Sequence, residues 1–430
     1  MIKFFRLFFF AFIILTSLNG MAQTTTSSPY SQFGLGDLKQ AILPHSRAMG
    51  GISMGLRKPG AYTNINVSNP ASYSAVQITT FEIGQSLNLR QLSNNSISET
   101  GFNSSISHIA FAVPVSAKSG LSFGLLPYSE LGYKYRIPTK IDTTDVDYIY
   151  GGDGGLSKAH LGYGYQLGKH ISVGANLSYL FGKLKQDRST EFPDDFSALY
   201  SRVENSTSVG GLTYDFGIQY FTNLSSKNKL VIGYSGNSGS KVNSTNSTVA
   251  TNYRVIPGSK EETGALDTIF LSQGVERKLN LPMTHSFGFV VERSSYWLFG
   301  ADFNYANWSS FRDGVNNSGL NNSYGVAVGG QFTPDPTDVT NYFKLIEYRL
   351  GVKYDKTPIQ VKNNNINQYA LTFGFGFPLQ ATRASFYQIN LSAEAGQRGT
   401  QNNNLIRERY MNFHIGFTLN DKRVVRPKYD

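Results

Sequence analysis

The chain has 430 residues, 16% of them charged and 13% aromatic, with 43 glycines, no cysteine and a mean hydropathy of −0.25. Zero cysteines exclude disulfides, thiolate metal sites and a lipoprotein anchor. The net charge is +10, but Lys and Arg are scattered and never cluster as a phosphate backbone requires, so no nucleic-acid partner is expected.

Residues 1–22 have a basic start at Lys3 and Arg6, a short apolar centre and small residues at Gly20 and Ala22. This is the pattern of a secretory signal peptide cleaved after Ala22, too short in its apolar part to serve as a spanning anchor. No apolar run long enough for a helical membrane span follows.

Residues 23–76 lack alternation and are interrupted by glycines at 34, 36, 50, 51, 55 and 60. Backbone this irregular cannot face lipid, where unpaired polar groups are prohibitive. The segment is therefore expected inside or below a barrel, as an N-terminal hatch. A disordered lead-in is the alternative, though Tyr30, Phe33, Leu35, Leu38, Ile52 and Leu56 are more apolar than disorder usually allows.

From Thr79 onward, period-2 alternation predicts strands, since successive strand side chains point to opposite faces. Fourteen are expected. The first seven are Thr79–Arg90, Ser104–Val115, Leu121–Arg136, Ser157–Leu167, Ile171–Lys183, Ser208–Thr222 and Lys229–Ser235. The others are Thr284–Glu292, Tyr296–Ala306, Ser323–Phe332, Tyr342–Tyr354, Gln368–Phe377, Phe386–Ala395 and Arg407–Asn420. In the last, Met411, Phe413, Ile415, Phe417 and Leu419 oppose Tyr410, Asn412, His414, Gly416, Thr418 and Asn420. One face suits lipid, the other a wet lumen. About ten tilted residues of this kind cross a bilayer core.

Short links such as S-A-K-S-G and G-K-H alternate with long ones at about 91–103, 137–156, 184–207, 236–282, 307–322, 355–367 and 396–406. That asymmetry is the mark of an outer-membrane barrel, with short turns in the periplasm and long loops outside. A soluble sandwich has no reason to sort its loops by length. The expected fold is all-β, a 14-stranded antiparallel transmembrane β-barrel (77–421) with the hatch (23–76) in its lumen. A periplasmic tail follows (422–430), and both termini lie in the periplasm of a Gram-negative cell. The loop Asn237–Asn252 is expected to be solvated, and Glu347, Arg349 and Lys353 to satisfy one another inside the barrel.

The S-R-A-M-G-G pattern at Ser46–Gly51, followed by N-P-A at Asn69–Ala71 just before the first strand, resembles the FadL/TodX-type outer-membrane transporters of hydrophobic compounds. The fourteen strands share that resemblance. It implies a hatch operated around Gly50, Gly51, Asn69, Pro70 and Ala71, and a lateral opening in the third strand. Pro127 stands there, in G-L-L-P-Y-S before Tyr128. Independently of any resemblance, a mid-strand proline lacks the N–H that the ladder needs and implies a hole or a bulge. The G-F-G-F-P-L stretch at Gly374–Leu379 and the basic tail are similar to barrels that serve the type 9 secretion system, including PorV-like relatives. The resemblance thus implies passive transport of fatty-acid-like hydrophobic molecules, or else an accessory barrel that docks a secretion-system protein. Membrane lipid and lipopolysaccharide are the expected surroundings.

An enzyme is not expected. The histidines His45, His108, His160, His170, His285 and His414 are scattered, there is no G-x-S-x-G elbow, and no metal-ligand spacing or cofactor motif stands out.

Overall fold

A computed structural model describes residues 28–422, apart from 59–61, 95–96, 196, 257–261, 294, 315, 318 and 383. The expected signal peptide and the tail beyond residue 422 lie outside the described residues.

Fourteen antiparallel strands close into one barrel. The first seven are β1 (Thr79–Asn94), β2 (Ile97–Ser116), β3 (Ser119–Ile141), β4 (Thr144–Leu167), β5 (Ile171–Glu191), β6 (Tyr200–Asn223) and β7 (Asn228–Asn237). The second seven are β8 (Thr284–Arg293), β9 (Trp297–Ala306), β10 (Ser323–Phe332), β11 (Glu347–Val361), β12 (Asn364–Pro378), β13 (Ser385–Arg398) and β14 (Arg407–Asp421). Each pairs with the next, and β14 closes on β1 from Arg407 opposite Ser93 to Asp421 opposite Thr79. Closure between β14 and β1 removes the edge that an open sheet would have at the chain's two ends.

Alternation sets which face is which. On β14, Met411 and Ile415 are exposed while His414, Thr418 and Asn420 are buried. The same phase puts Phe299 and Phe303 outside and Asp302 inside on β9. The outward faces thus form the apolar belt of a transmembrane barrel.

The wall is uneven in height. Strands β7 to β10 have 10 residues each, whereas β3 to β6 have 21 to 24. Much of what the sequence marks as long loops is strand that continues past the belt. The link 137–156 narrows to a turn at 142–143, and 355–367 narrows to a turn at 362–363. The expected solvated loop Asn237–Asn252 is likewise corrected. Lys241–Tyr253 continues β7 along β6, and pairs with Asp267–Asn280 to form an outer hairpin. At the other end, β11 begins at Glu347 rather than Tyr342, because Tyr342–Lys344 forms a 3-10 turn.

The N-terminal segment occupies much of the interior. Leu43, Ile65, Val67, Tyr73 and Val76 of the N-terminal segment pack on Ala110, Ala112 and Leu126 of the wall. Met49 and Ile52 pack on Val290, Leu298 and Ala327. A larger apolar cluster, including Tyr30, Leu35, Leu156, Leu279, Trp308, Phe311 and Ile366, joins the segment's start to the long-link end of the barrel. Polar wall residues thus face packed protein of the N-terminal segment over much of the lumen's depth.

Candidate functional site

The S-R-A-M-G-G stretch begins as a short helix, Pro44–Arg47, started by proline at its first position. Gly50 and Gly51 then adopt φ of 73° and 96°, a left-handed turn that glycine makes without steric cost. The turn lies on the inner wall at β10 to β12. Gly50 N–H donates to Thr372 Oγ1 at 2.7 Å, and that hydroxyl donates to Ala48 O at 3.2 Å. A Cβ on wall residue Gly351 would lie 2.2 Å from Gly50 N, so the seat exists only because the wall has no side chain there. Just beyond, Ser53 and Met54 N–H groups donate to the buried Asp302 carboxylate at 2.6 and 2.9 Å.

The N-P-A stretch seats on the opposite sector. Asn69 caps the 3-10 helix Pro70–Ala75, its Oδ1 accepting from Ala71 N–H at 3.1 Å. Its Nδ2 donates to Met54 O at 3.0 Å, in the stretch just past the glycine turn. Gly217 on β6 leaves the room that Asn69 occupies, since a Cβ there would lie 2.1 Å from Asn69 Oδ1. Nearby Arg57 donates to Ser74 Oγ at 2.7 Å, Ser172 Oγ at 3.2 Å and Gln166 Oε1 at 3.0 Å, with its guanidinium 4.3 Å from the Phe221 ring centre. Gly50 and Gly51 thus do not meet Asn69, Pro70 and Ala71; the five residues are two separate anchors of one segment.

Pro127 and Tyr128 mark a third place. The β2–β3 ladder ends at Ile109 opposite Leu125, two residues before the proline. On its other edge, β3 stays paired with β4, through a bulge between Pro127 and Ser129, up to Ile141 opposite Thr144. Among the described residues, β2 from Ile97 to His108 is then paired only with β1. The wall is split from Leu125 toward the long-link rim.

The N-terminal segment covers part of the free edge of β3, from Tyr128 to Gly132. Asp37 and Leu38 form a two-residue strand opposite Glu130 and Ser129. Lys39 N–H donates to Tyr128 O at 2.9 Å, and Ser28 N–H to Gly132 O at 2.9 Å. Asn103 on β2 reaches across to hydrogen-bond Glu130. Asp37 sits among Arg398 at 2.7 Å, Arg90 at 3.0 Å and Lys39 at 3.3 Å. Burial alone would raise its pKa; Lys39, Arg398 and Arg90 together override burial and hold it well below the usual carboxylate range.

Deeper in, Glu347 pairs with Arg349 and with Lys58 of the segment, and Arg349 donates to Gln331 at 2.9 Å and Asn390 at 2.7 Å. Lys353 is not part of this group, as the spacing suggested; it pairs with Glu394 at 2.7 Å. Lys353 shares the lumen face of β11 with Glu347 but lies farther along the strand, and its partner Glu394 accepts from the Tyr410 hydroxyl at 2.9 Å.

Between the segment and the wall lies a cavity of about 770 Å³ that reaches the split at Ser105, Ser107, Leu126, Pro127 and Tyr128. Its rim also carries Lys158 and Asp215, paired at 2.5 Å. Of the histidines, His414 faces the lumen and His170 lies at a turn, where its ring bonds Phe221 O at 3.0 Å. No group of three or more metal-ligating side chains is found among the described residues. Sequence reasoning did not single out Asp37, Asp302, Gly217 or Gly351. Only the two glycines carried a usable signal, being residues on the lumen phase of otherwise regular strands.

Solved structures share this architecture. The CymD monoaromatic hydrocarbon channel superposes with a TM-score of 0.53 at 15% identity, over 91% of this chain and 99% of that one. A Pseudomonas aeruginosa FadL homologue gives 0.57 at 12%, over 90% and 99%, and the Pseudomonas putida toluene transporter TodX gives 0.56 at 14%, over 90% and 99%. At such identities the likeness is one of fold: a FadL-like barrel. No curated protein sequence matches. The family model described as BamG matches residues 1–430, and so the chain that builds this split, internally stitched barrel belongs to the BamG family.

Proposed function

We propose that the barrel lies in the outer membrane, with both termini periplasmic, and passes small hydrophobic molecules through its split wall. Residues 23–76 act as the hatch, 77–421 as the barrel and 422–430 as a periplasmic tail. Lipid and lipopolysaccharide surround the belt. The observation that carries this reading is the cavity reaching the β2–β3 split. An apolar molecule there meets the bilayer sideways and need not cross the charged network around Glu347 and Arg349. Gly50, Gly51 and Asn69–Ala71 hold the hatch, and Pro127 with Tyr128 forms the edge of the exit. The CymD channel and the toluene transporter TodX, similar in fold, fit a substrate class of monoaromatic hydrocarbons or fatty-acid-like chains.

The chain has no native cysteine, so a clean test is to lock the split with Asn103→Cys and Glu130→Cys. Uptake of labelled toluene or decanoate should stop when the pair is oxidised and return on reduction. Equal uptake by the oxidised and reduced forms would overturn the reading.

A second reading, an accessory barrel that docks a secretion-system protein, is favoured by the apolar cluster around Trp308 and Phe311 that stoppers the long-link end. It requires a larger protein to co-purify in stoichiometric amount in mild detergent.

A further inference from the structure

The outer hairpin ends in a strand with one partner only. Asp267–Asn280 pairs with Lys241–Tyr253 along one edge. On its other edge, pairing among the described residues is confined to the base, where Leu279 and Asn280 face Asp313 and Arg312 and Lys278 O accepts from Gly314 N–H. From Asp267 to Glu276 that edge is open. About every second residue of such an edge turns both its N–H and its C=O outward. Protein strands left this way are templates for another strand unless charge, proline, bulges or a cover blunt them; bulges between Thr268 and Phe270 and between Ser272 and Val275 kink this edge without covering it. Here Ile269, Phe270, Leu271 and Val275 are 61%, 54%, 55% and 40% exposed. Its charges stand at the two ends, Asp267 at one and Glu276, Arg277 and Lys278 toward the base, with none from Thr268 to Val275.

Lipid does not account for this surface. Below the hairpin, β7 and β8 already supply ten-residue spans, enough for a belt about 25 Å tall. Consecutive residues 269–271 are all exposed, so both faces of the strand are open, whereas a lipid-facing strand exposes one. Unsatisfied main chain selects main chain, and the barrel already covers one open edge that way, where Asp37–Leu38 pairs with β3. No described segment does the same for Asp267–Glu276.

We infer that this edge is a docking site for an extended polypeptide segment of a second protein, which adds as a strand and lays apolar side chains beside Ile269, Phe270, Leu271 and Val275. Main-chain bonds supply the attachment and the flanking apolar side chains the preference, as in other strand-addition complexes. The site is independent of whether the barrel transports anything.

The test uses the full mature chain in nanodiscs and a fluorescein-labelled peptide in which Thr alternates with Val over eight residues between Lys pairs. Its control is the same peptide N-methylated at every second residue, which keeps the apolar groups but loses the donors. The unmethylated peptide should bind saturably and slow amide exchange at residues 267–276. N-methylation, or the double variant Phe270→Lys, Leu271→Lys, should weaken binding at least about tenfold. Absent binding, equal binding of the methylated peptide, equal binding to the folded double variant, or protection confined to other strands would each overturn the assignment.

Discussion

At single positions, the wall works by omission. Gly351 and Gly217 are lumen-phase residues whose missing side chains let Gly50 and Asn69 approach the strand backbone. Replacing Gly351 with Ala puts a Cβ at 2.2 Å from Gly50 N, with backbone on both sides. The N-terminal segment must then back away from β11. Loss of the Gly50–Thr372 hydrogen bond and of neighbouring packing should destabilise the seating by about 1–3 kcal/mol. Faster exchange of the Gly50–Ser53 amides, with β14 unaffected, would show it. Unchanged exchange would mean that the wall yields instead. Strand alternation puts Asp302 and Thr372 on the lumen phase but cannot reveal that they receive the segment's N–H groups, because hydrogen-bond partners hundreds of residues apart leave no local pattern.

Among elements, the two-residue strand Asp37–Leu38 carries the closure of the split, and its charge cluster fixes how it responds to acid. Asp37 has a folded-state pKa below its unfolded value of about 3.9. Its contribution is therefore complete above that unfolded value and is lost as pH falls through the lower folded one. Exchange protection of the Gly36–Lys39 amides should hold unchanged from neutral pH to about 4 and fall only below it. In Asp37→Asn it should be low at every pH. Loss of protection between pH 7 and 5 in the wild type would contradict the assignment. Little of this was legible beforehand, since a two-residue strand has no periodicity to read. The wall strands were legible for the opposite reason. Lipid on one side and protein on the other forces strict alternation, as in Trp297–Tyr305 and Met411–Leu419. Past the belt that demand ends, so Lys241–Tyr253, polar on both faces, reads as loop although it is strand. Pro127 lies between these cases: its missing N–H announced a break in pairing, but not that the break would extend up to the rim.

On the scale of the whole molecule, a barrel closed by hydrogen bonds between β14 and β1 is opened again between β2 and β3, and its own N-terminal segment stitches the opening from inside. Belt, packed interior, cavity and split are then parts of one arrangement. It depends on Leu38 lying beside Ser129 while the wall is in lipid. Opposed residues of an antiparallel pair have Cα atoms about 4.5–5.5 Å apart, within disulfide range. The most direct test is a disulfide between Leu38→Cys and Ser129→Cys in the reconstituted, cysteine-free background. Rapid and near-complete oxidation is predicted for this pair, with none for Leu38→Cys and Ile415→Cys, where Ile415 faces lipid. Failure of the first pair to close in a folded barrel, or closure of the second, would contradict the account.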